Sequence, residues 1–431
     1  MLRTFAKAFR TPDLRRKLLF TIGIVVLFRL GSAIPTPGVD YAAINSIQKQ
    51  AASNDLLGLI NLFSGGGLLQ LSVFALGIMP YITASIITQL LRVVIPRFEA
   101  LHKEGQSGQT KLTQYTRYLT IALAVLQSTA VITTARSGTL FGSDTRVINP
   151  DTPWTVALMI ITMTAGTGLI MWLGELITEK GVGNGMSLLI FASIVAGFPA
   201  SMGQIWGSSN GGPINFMVVL VVFVAVIIAI VFVEQSQRRI RVQYAKRMVG
   251  RRTYGGSTTY IPIKINTAGV IPIIFSSSLL ALPMMVTQFV RDQSNPVVGW
   301  IANNLGSTDA LYMVLYAALT IFFCFFYTAI TFNPEEVADN MKKYGGFIPG
   351  IRAGRPTAEY LNYVINRITT PGSIYLAVVA LIPQVLFGLL GVNQNLPFGG
   401  TTLLIIVGVG LDTVKQIESQ LQQRHYEGFL R

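Results

Sequence analysis

Charge is what this sequence has least of. Of its 431 residues, 12% are Asp, Glu, Lys or Arg and 51% are hydrophobic, whereas a soluble globular chain carries about 25% charged residues. That shortage excludes a water-soluble globular protein and implies a polytopic membrane protein. Cysteine is scarcer still. Cys324 stands alone inside an apolar run, so there is no disulfide framework and no redox compartment to read. The two histidines, His102 and His425, lie far apart in polar segments. They offer neither a metal-ligand spacing nor a base beside a nucleophile. A nucleotide site is missing as well. GVGNG at Gly181–Gly185 resembles a Gly-rich phosphate turn only superficially, because no strand precedes it and an apolar run follows. The chain therefore reads as a non-enzyme that needs no cofactor and no metal.

Acids inside the apolar runs are also lacking. Arg29 falls within the first run, while Glu175, Glu234 and Asp412 lie near run ends. A coupled transporter is expected to place a carboxylate near the bilayer midplane, so secondary transport of small solutes is poorly supported. No cleavable signal peptide is evident: Thr11–Lys17 is basic and Leu18–Ile34 apolar, but no small-residue cleavage site clearly follows.

What is present is a series of apolar runs. Ten are long enough to span a bilayer: about 18–34, 72–91, 118–135, 154–174, 186–202, 214–233, 268–290, 310–332, 371–391 and 400–419. The expected fold class is all-α, a ten-helix membrane protein. Positive charge sets its orientation. The chain has 33 Lys+Arg against 19 Asp+Glu, a net charge of +14. Lys49, Arg136, Arg146 and Arg291 fall on one side and Arg29 within a run; all the others fall on the side of the termini. Both termini are therefore expected in the cytoplasm. The same rule accounts for the excess charge without DNA binding. Ten runs divide into five and five, giving expected halves at 1–205 and 206–431, as in channels built from two inverted repeats.

One stretch is unusual. Leu56–Arg92 joins a short apolar segment, broken by Gly65, Gly66 and Gly67, to the second run without a charged loop between them. A segment that enters the membrane without crossing survives only inside protein or lining a water-filled cavity. The stretch, with its short element at about 57–70, thus predicts a cavity and something sitting in it.

Two polar loops are unusually long, 234–264 and 333–370. The first carries Arg238, Arg239, Arg241, Lys246, Arg247, Arg251 and Arg252. Positive-inside topology accounts for a few such charges. The length and the interleaved tyrosines suit a docking surface for an anionic partner, including a ribosome. Ile78 and Ile82 share a helix face, as do Met186 and Ile190; lipid contact and core packing remain alternatives for either pair. Thr83, Gln127 and Asn266 are polar residues in or near apolar runs, and each has its own helix backbone as an alternative partner. Pro80, Pro272 and Pro283 are expected to kink or interrupt helices.

Several motifs carry a resemblance. SVFALGIMPYITASIITQLL, WLGE with GVGNGMSLLIFASIVAG, NTAGVIPIIFSSS, FNPEEVADNMKK, FIPGIR and FGGTTLLI resemble, in order and over nearly the whole chain, those of the SecY family of bacterial protein-export channels. NLFSGGG resembles that family's plug, placing it at Asn61, Phe63, Ser64, Gly65, Gly66 and Gly67. The resemblance implies two halves that open like a clamshell, hinged between the fifth and sixth spans. It implies an aliphatic pore ring at Ile78, Ile82, Met186, Ile190, Ile274 and Ile405, with Met186 where the family usually has Ile or Val. It assigns Thr83, Gln127 and Asn266 to a lateral gate between spans 2–3 and 7–8, and Arg352 to partner docking with the basic loop. The implied function is passage of unfolded polypeptide across the cytoplasmic membrane, with lateral release of apolar segments into lipid. The implied partners are SecE, SecG, SecA, the ribosome, signal sequences and nascent chains. An insertase without a through-pore is the other rival; an intact ring and plug argue against it.

Overall fold

Proline opens many of the helices. Pro12, Pro80, Pro96, Pro153 and Pro334 each stand in a first helical turn, where the missing N–H would have no intrahelical partner anyway. The computed structural model describes residues 11–40, 66–68, 70–136, 147–149, 152–206, 212–244, 247–249, 252–254, 258–277, 279–280, 309–390 and 400–427. Its helices are α1 (Pro12–Ala33), α2 (Met79–Val94), α3 (Pro96–Lys103), α4 (Gln106–Arg136), α5 (Pro153–Lys180), α6 (Gly185–Trp206), α7 (Gly212–Gln235), α8 (Ala310–Thr331), α9 (Pro334–Lys343), α10 (Arg355–Leu390) and α11 (Gly400–Glu427). Helices cover nine of the ten expected runs in whole or part. The seventh run is described only to residue 280 and is helical from Ile271. Five of the described helical stretches are long and apolar enough to cross a membrane by length and composition alone.

One boundary differs from expectation. The second helix starts at Met79, not near Ser72, and residues 73–78 form turns. Pro80 has no N–H for the carbonyl of residue 76, and its ring would crowd that carbonyl. Gly77 takes φ 55, outside the right-handed helical range. Pro80 and Pro272 thus begin helices rather than kink them; Pro283 lies outside the described residues.

The helices pack through small residues, as lipid-embedded helices do. On α4 the buried face runs Leu112, Thr116, Thr120, Ala124, Ser128, Ile132, every fourth residue. On α8 it runs Tyr312, Tyr316, Thr320, Cys324, Thr328, so Cys324 is a packing residue. Exposed faces stay apolar, as on α7, where Ile214, Val221, Ile228 and Phe232 point outward.

The two long loops hold structure that a purely helical reading missed. Strands β1 (Gln237–Tyr244) and β4 (Thr258–Lys264) pair antiparallel, with Ile240 opposite Ile261 and Val242 opposite Thr259. Between them, β2 (Arg247–Val249) pairs with β3 (Arg252–Tyr254). Strand β5 (Gly346–Phe347), from the other loop, adds to β1. Helices α9 and α10 cover this sheet, burying Ile240, Val242, Ile263, Met341, Leu361 and Val364 in one cluster. The signal was an alternation, Arg239 out, Ile240 in, Arg241 out, Val242 in, the period of a half-buried strand.

Candidate functional site

The six aliphatic residues meet. Ile78, Ile82, Met186, Ile190, Ile274 and Ile405 all belong to one apolar cluster. Ile78, Ile190 and Ile405 are buried, at 2%, 5% and 1% exposure; the other three are half-buried. Ile78 is the N-cap of α2 and its carbonyl accepts from Ile82 N at 3.1 Å, which stacks the two side chains on one face although only Ile82 is inside the helix. Met186 and Ile190 are set by the turn between α5 and α6. Asn184 Oδ1 accepts from Met186 N at 3.1 Å, and Gly185 N donates to Thr178 Oγ1 at 2.9 Å. A Cβ on Gly185 would strike the backbone oxygen of Gly174, and one on Gly174 would strike the Met186 sulfur. GVGNG and WLGE are thus two sides of one helix crossing, which explains the glycines without any phosphate. Gly408 gives α11, which carries Ile405, a close approach to Val270, four residues before Ile274.

Chemically this cluster offers no charge and no hydrogen-bonding side chain. A narrow aliphatic collar gates by dewetting. It offers no hydrogen bond to any particular side chain, and Met186 is its most flexible member.

Of the residues matched to the plug, Gly66 and Gly67 lie in a turn; Asn61, Phe63, Ser64 and Gly65 fall outside the described residues. Leu68 and Leu71 are buried with Ile132, Met159 and Met163. A Cβ on Gly166 would strike the backbone oxygen of Val73, so the chain leading into α2 is seated directly on α5.

The three polar residues are not joined in one network by their hydrogen bonds. Thr83 Oγ1 donates to Met79 O in its own helix at 3.0 Å. Gln127 is half-buried on α4. Asn266 is buried and donates to Glu234 Oε1 at 2.6 Å and to Gly269 O at 3.1 Å, tying the foot of the seventh run to the end of α7. Sequence reasoning missed two other contacts. Thr116 Oγ1 meets Thr88 Oγ1 at 3.1 Å in the buried seam of α2 and α4. Arg117 grips Glu175 with two bonds of 2.9 and 2.8 Å and Gln114 with a third of 3.0 Å, a bidentate geometry that fixes α4 to α5. Glu175 was legible only as an acid near a span end.

On the polar side, Arg238, Arg239 and Arg241 are exposed along β1. Arg247 and Arg252 belong to β2 and β3; Lys246 and Arg251 lie outside the described residues. Arg352 is exposed in the turn between β5 and α10, where its carbonyl accepts from Thr357 Oγ1 at 2.9 Å. Because β5 pairs with β1, Arg352 and the arginines of β1 belong to one folded unit.

The family model described as SecY matches residues 72–414. The chain belongs to the SecY family. A relative from Streptomyces scabiei, a protein translocase subunit SecY, is 62% identical over 438 residues, covering 100% of both chains. A solved SecY structure, in which the plug domain stabilises the closed state of the translocation channel and maintains a membrane seal, matches with TM-score 0.64 and 20% identity over 94% of this chain and 91% of that one. Canine Sec61, in a ribosome–channel complex from the endoplasmic reticulum, matches with TM-score 0.60 and 18% identity, covering 94% and 91%. The two structures share the fold. As a SecY-family protein, the chain is a membrane-embedded subunit of the protein translocase, and its apolar helices form a protein-conducting channel.

Proposed function

We propose that unfolded polypeptide passes through the collar of Ile78, Ile82, Met186, Ile190, Ile274 and Ile405. The observation that carries this is their convergence: residues from α2, α6, α11 and the 271–280 segment share one apolar cluster, drawn from both 1–205 and 206–431. These two stretches are the halves of the clamshell, hinged between α6 and α7. The segment at 57–70 is the plug. The sideways exit for apolar segments lies between α2 with α4 and the 268–280 segment with α8, with Thr83 and Gln127 on one wall and Asn266 at its foot. The bonds described for Thr83 and Asn266 stay on their own sides of this seam, which suits a seam that signal sequences must part.

Both termini face the cytoplasm of a bacterium, together with the sheet unit and Arg352. SecA and the ribosome dock on that unit, SecE braces the back and SecG accompanies it. The basic face of β1 supports an anionic partner, and the canine relative's ribosome complex supports the ribosome.

The passage reading is tested by disulfide trapping: in a Cys324→Ala background, a secretory chain carrying one cysteine is stalled in the channel and a mild two-electron thiol oxidant is added. Ile405→Cys should trap the chain. Ile228→Cys, on the exposed face of α7, should not. Equal trapping at both positions would sink the collar. Docking is tested with inverted vesicles supplied with SecA from the cytoplasmic side. Arg352→Glu should slow export about tenfold or more, since reversing one charge of a close interfacial pair removes both steering and affinity. Unchanged SecA-driven export would remove Arg352 from the docking surface.

A further inference from the structure

The elbow between the plug segment and α2 rests on a conformation that leucine resists. Leu71 has φ 46, the one non-glycine residue at positive φ among the described residues, and its side chain is completely buried. For a residue with a Cβ, this left-handed geometry is disfavoured and persists only where surroundings enforce it. The enforcement comes from Ile34, Pro35 and Thr36, the three residues that follow α1. The Leu71 carbonyl accepts two bonds from Thr36, from the backbone N at 3.0 Å and from Oγ1 at 2.8 Å. Next to it, Pro35 bridges to Ser72, and Val73 N donates to Ile34 O at 2.9 Å. Further along, Phe28 of α1 stacks on Phe74 with centroids 5.9 Å apart.

On its other side, the elbow turns the chain back on itself. Leu71 N donates to Leu68 O at 3.0 Å and Ser72 N to Gly67 O at 2.9 Å. The Leu71–Leu68 bond closes the turn that leads into Leu71, and the left-handed φ of Leu71 brings Ser72 N onto Gly67 O. Rotation of Leu71 to an ordinary negative φ would break the Ser72–Gly67 bond and swing the turn of Gly67 and Leu68 away from Ser72. The buried Ser72 hydroxyl has no hydrogen-bond partner among the described residues, a further cost carried by this arrangement.

We propose that Thr36 is a positioning residue: its hydroxyl holds Leu71 left-handed and so keeps Gly67 and Leu68, at the end of the plug segment, folded back on the elbow. The proposal rests on the plug reading above. It gives the elbow two states, a clamped one and a relaxed one, and makes the stretch after α1 the part that chooses between them.

The test uses the reconstituted translocase with Thr36→Val, which keeps the side-chain shape and the backbone bond but loses the hydroxyl. Thr36→Ala loses the same hydroxyl with less bulk, and Thr36→Ser retains it. Deletion of residues 61–67 is the reference for a missing plug. Ion conductance per channel and thermal unfolding are both measured. One net hydrogen bond lost from the clamped state alone shifts the balance about fivefold, so Thr36→Val and Thr36→Ala should leak about fivefold more than the parent, while Thr36→Ser stays tight. If the deletion leaks and Thr36→Val does not, even with lowered thermal stability, the clamp is refuted and the plug reading stands. If neither leaks, both are overturned. If neither hydroxyl-free variant accumulates as folded complex, Thr36 is a structural residue and the proposal fails.

Discussion

Replacing Ile274 by asparagine should make the resting channel conduct ions. Ile274 sits half-buried in the central apolar cluster, on the helical segment that Pro272 opens. In a closed collar an amide has only aliphatic neighbours to face. Leaving such a group unpaired costs about 2 kcal/mol. Water entering the constriction relieves that cost, so the penalty falls on the closed, dry state alone. A bias of that size shifts the closed-to-wet balance about thirtyfold. The variant should therefore leak in planar bilayers and should accept secretory proteins with defective signal sequences. If Ile274 merely packs between helices, the same substitution should lower the unfolding temperature and leave conductance at the parent value. A folded Ile274→Asn complex as tight as the parent would refute the collar.

The second large effect is expected at Gly185, where α5 and α6 cross. A side chain there would overlap the Gly174 carbonyl, and its Cβ would lie 2.8 Å from the Cβ of Ile177. The first obstacle is backbone, which has no rotamer to retreat into. Gly185→Val should force α6 off α5, with an overpacking cost of about 3 kcal/mol. The shift moves Met186 and Ile190 together, since both lie within the first two turns of α6. The expected result is reduced accumulation and a lowered unfolding temperature, with leak in whatever complex survives. Gly183→Ala offers a contrast. There φ is 87, so the strain is local to the turn, and the nearest obstacle is the flexible end of Leu188 at 3.0 Å. Equal stability of Gly185→Val and the parent would show that the α5–α6 crossing tolerates a gap and does not fix the collar.

Much of this was legible in the residues. The apolar runs could be marked because a bilayer makes a local demand: each span must be apolar along its length and must satisfy its own backbone. Family order came from motifs whose spacing is fixed by that same chain of spans. The glycines of GVGNG were visible too, but their purpose was not. A glycine needed for close approach looks like one needed for a turn until the opposing carbonyl is in place. Asn266 shows the same limit. Its polarity in an apolar setting was plain, yet its partner Glu234 lies 32 residues away, at the end of α7.

The sequence by itself determined the membrane character, the apolar runs that become helices and the family. Hydropathy and charge act where they stand, so they can be read where they stand. Tertiary structure alone decided three things: that β5 completes the sheet begun by β1, that six aliphatic side chains from four segments share one cluster, and that Leu71 is held left-handed by Thr36. Each depends on two or more stretches distant in the chain arriving at one place. Their hydrogen bonds and packing choose among conformations that the local sequence leaves nearly equal in energy, or, at Leu71, impose one that the local sequence disfavours.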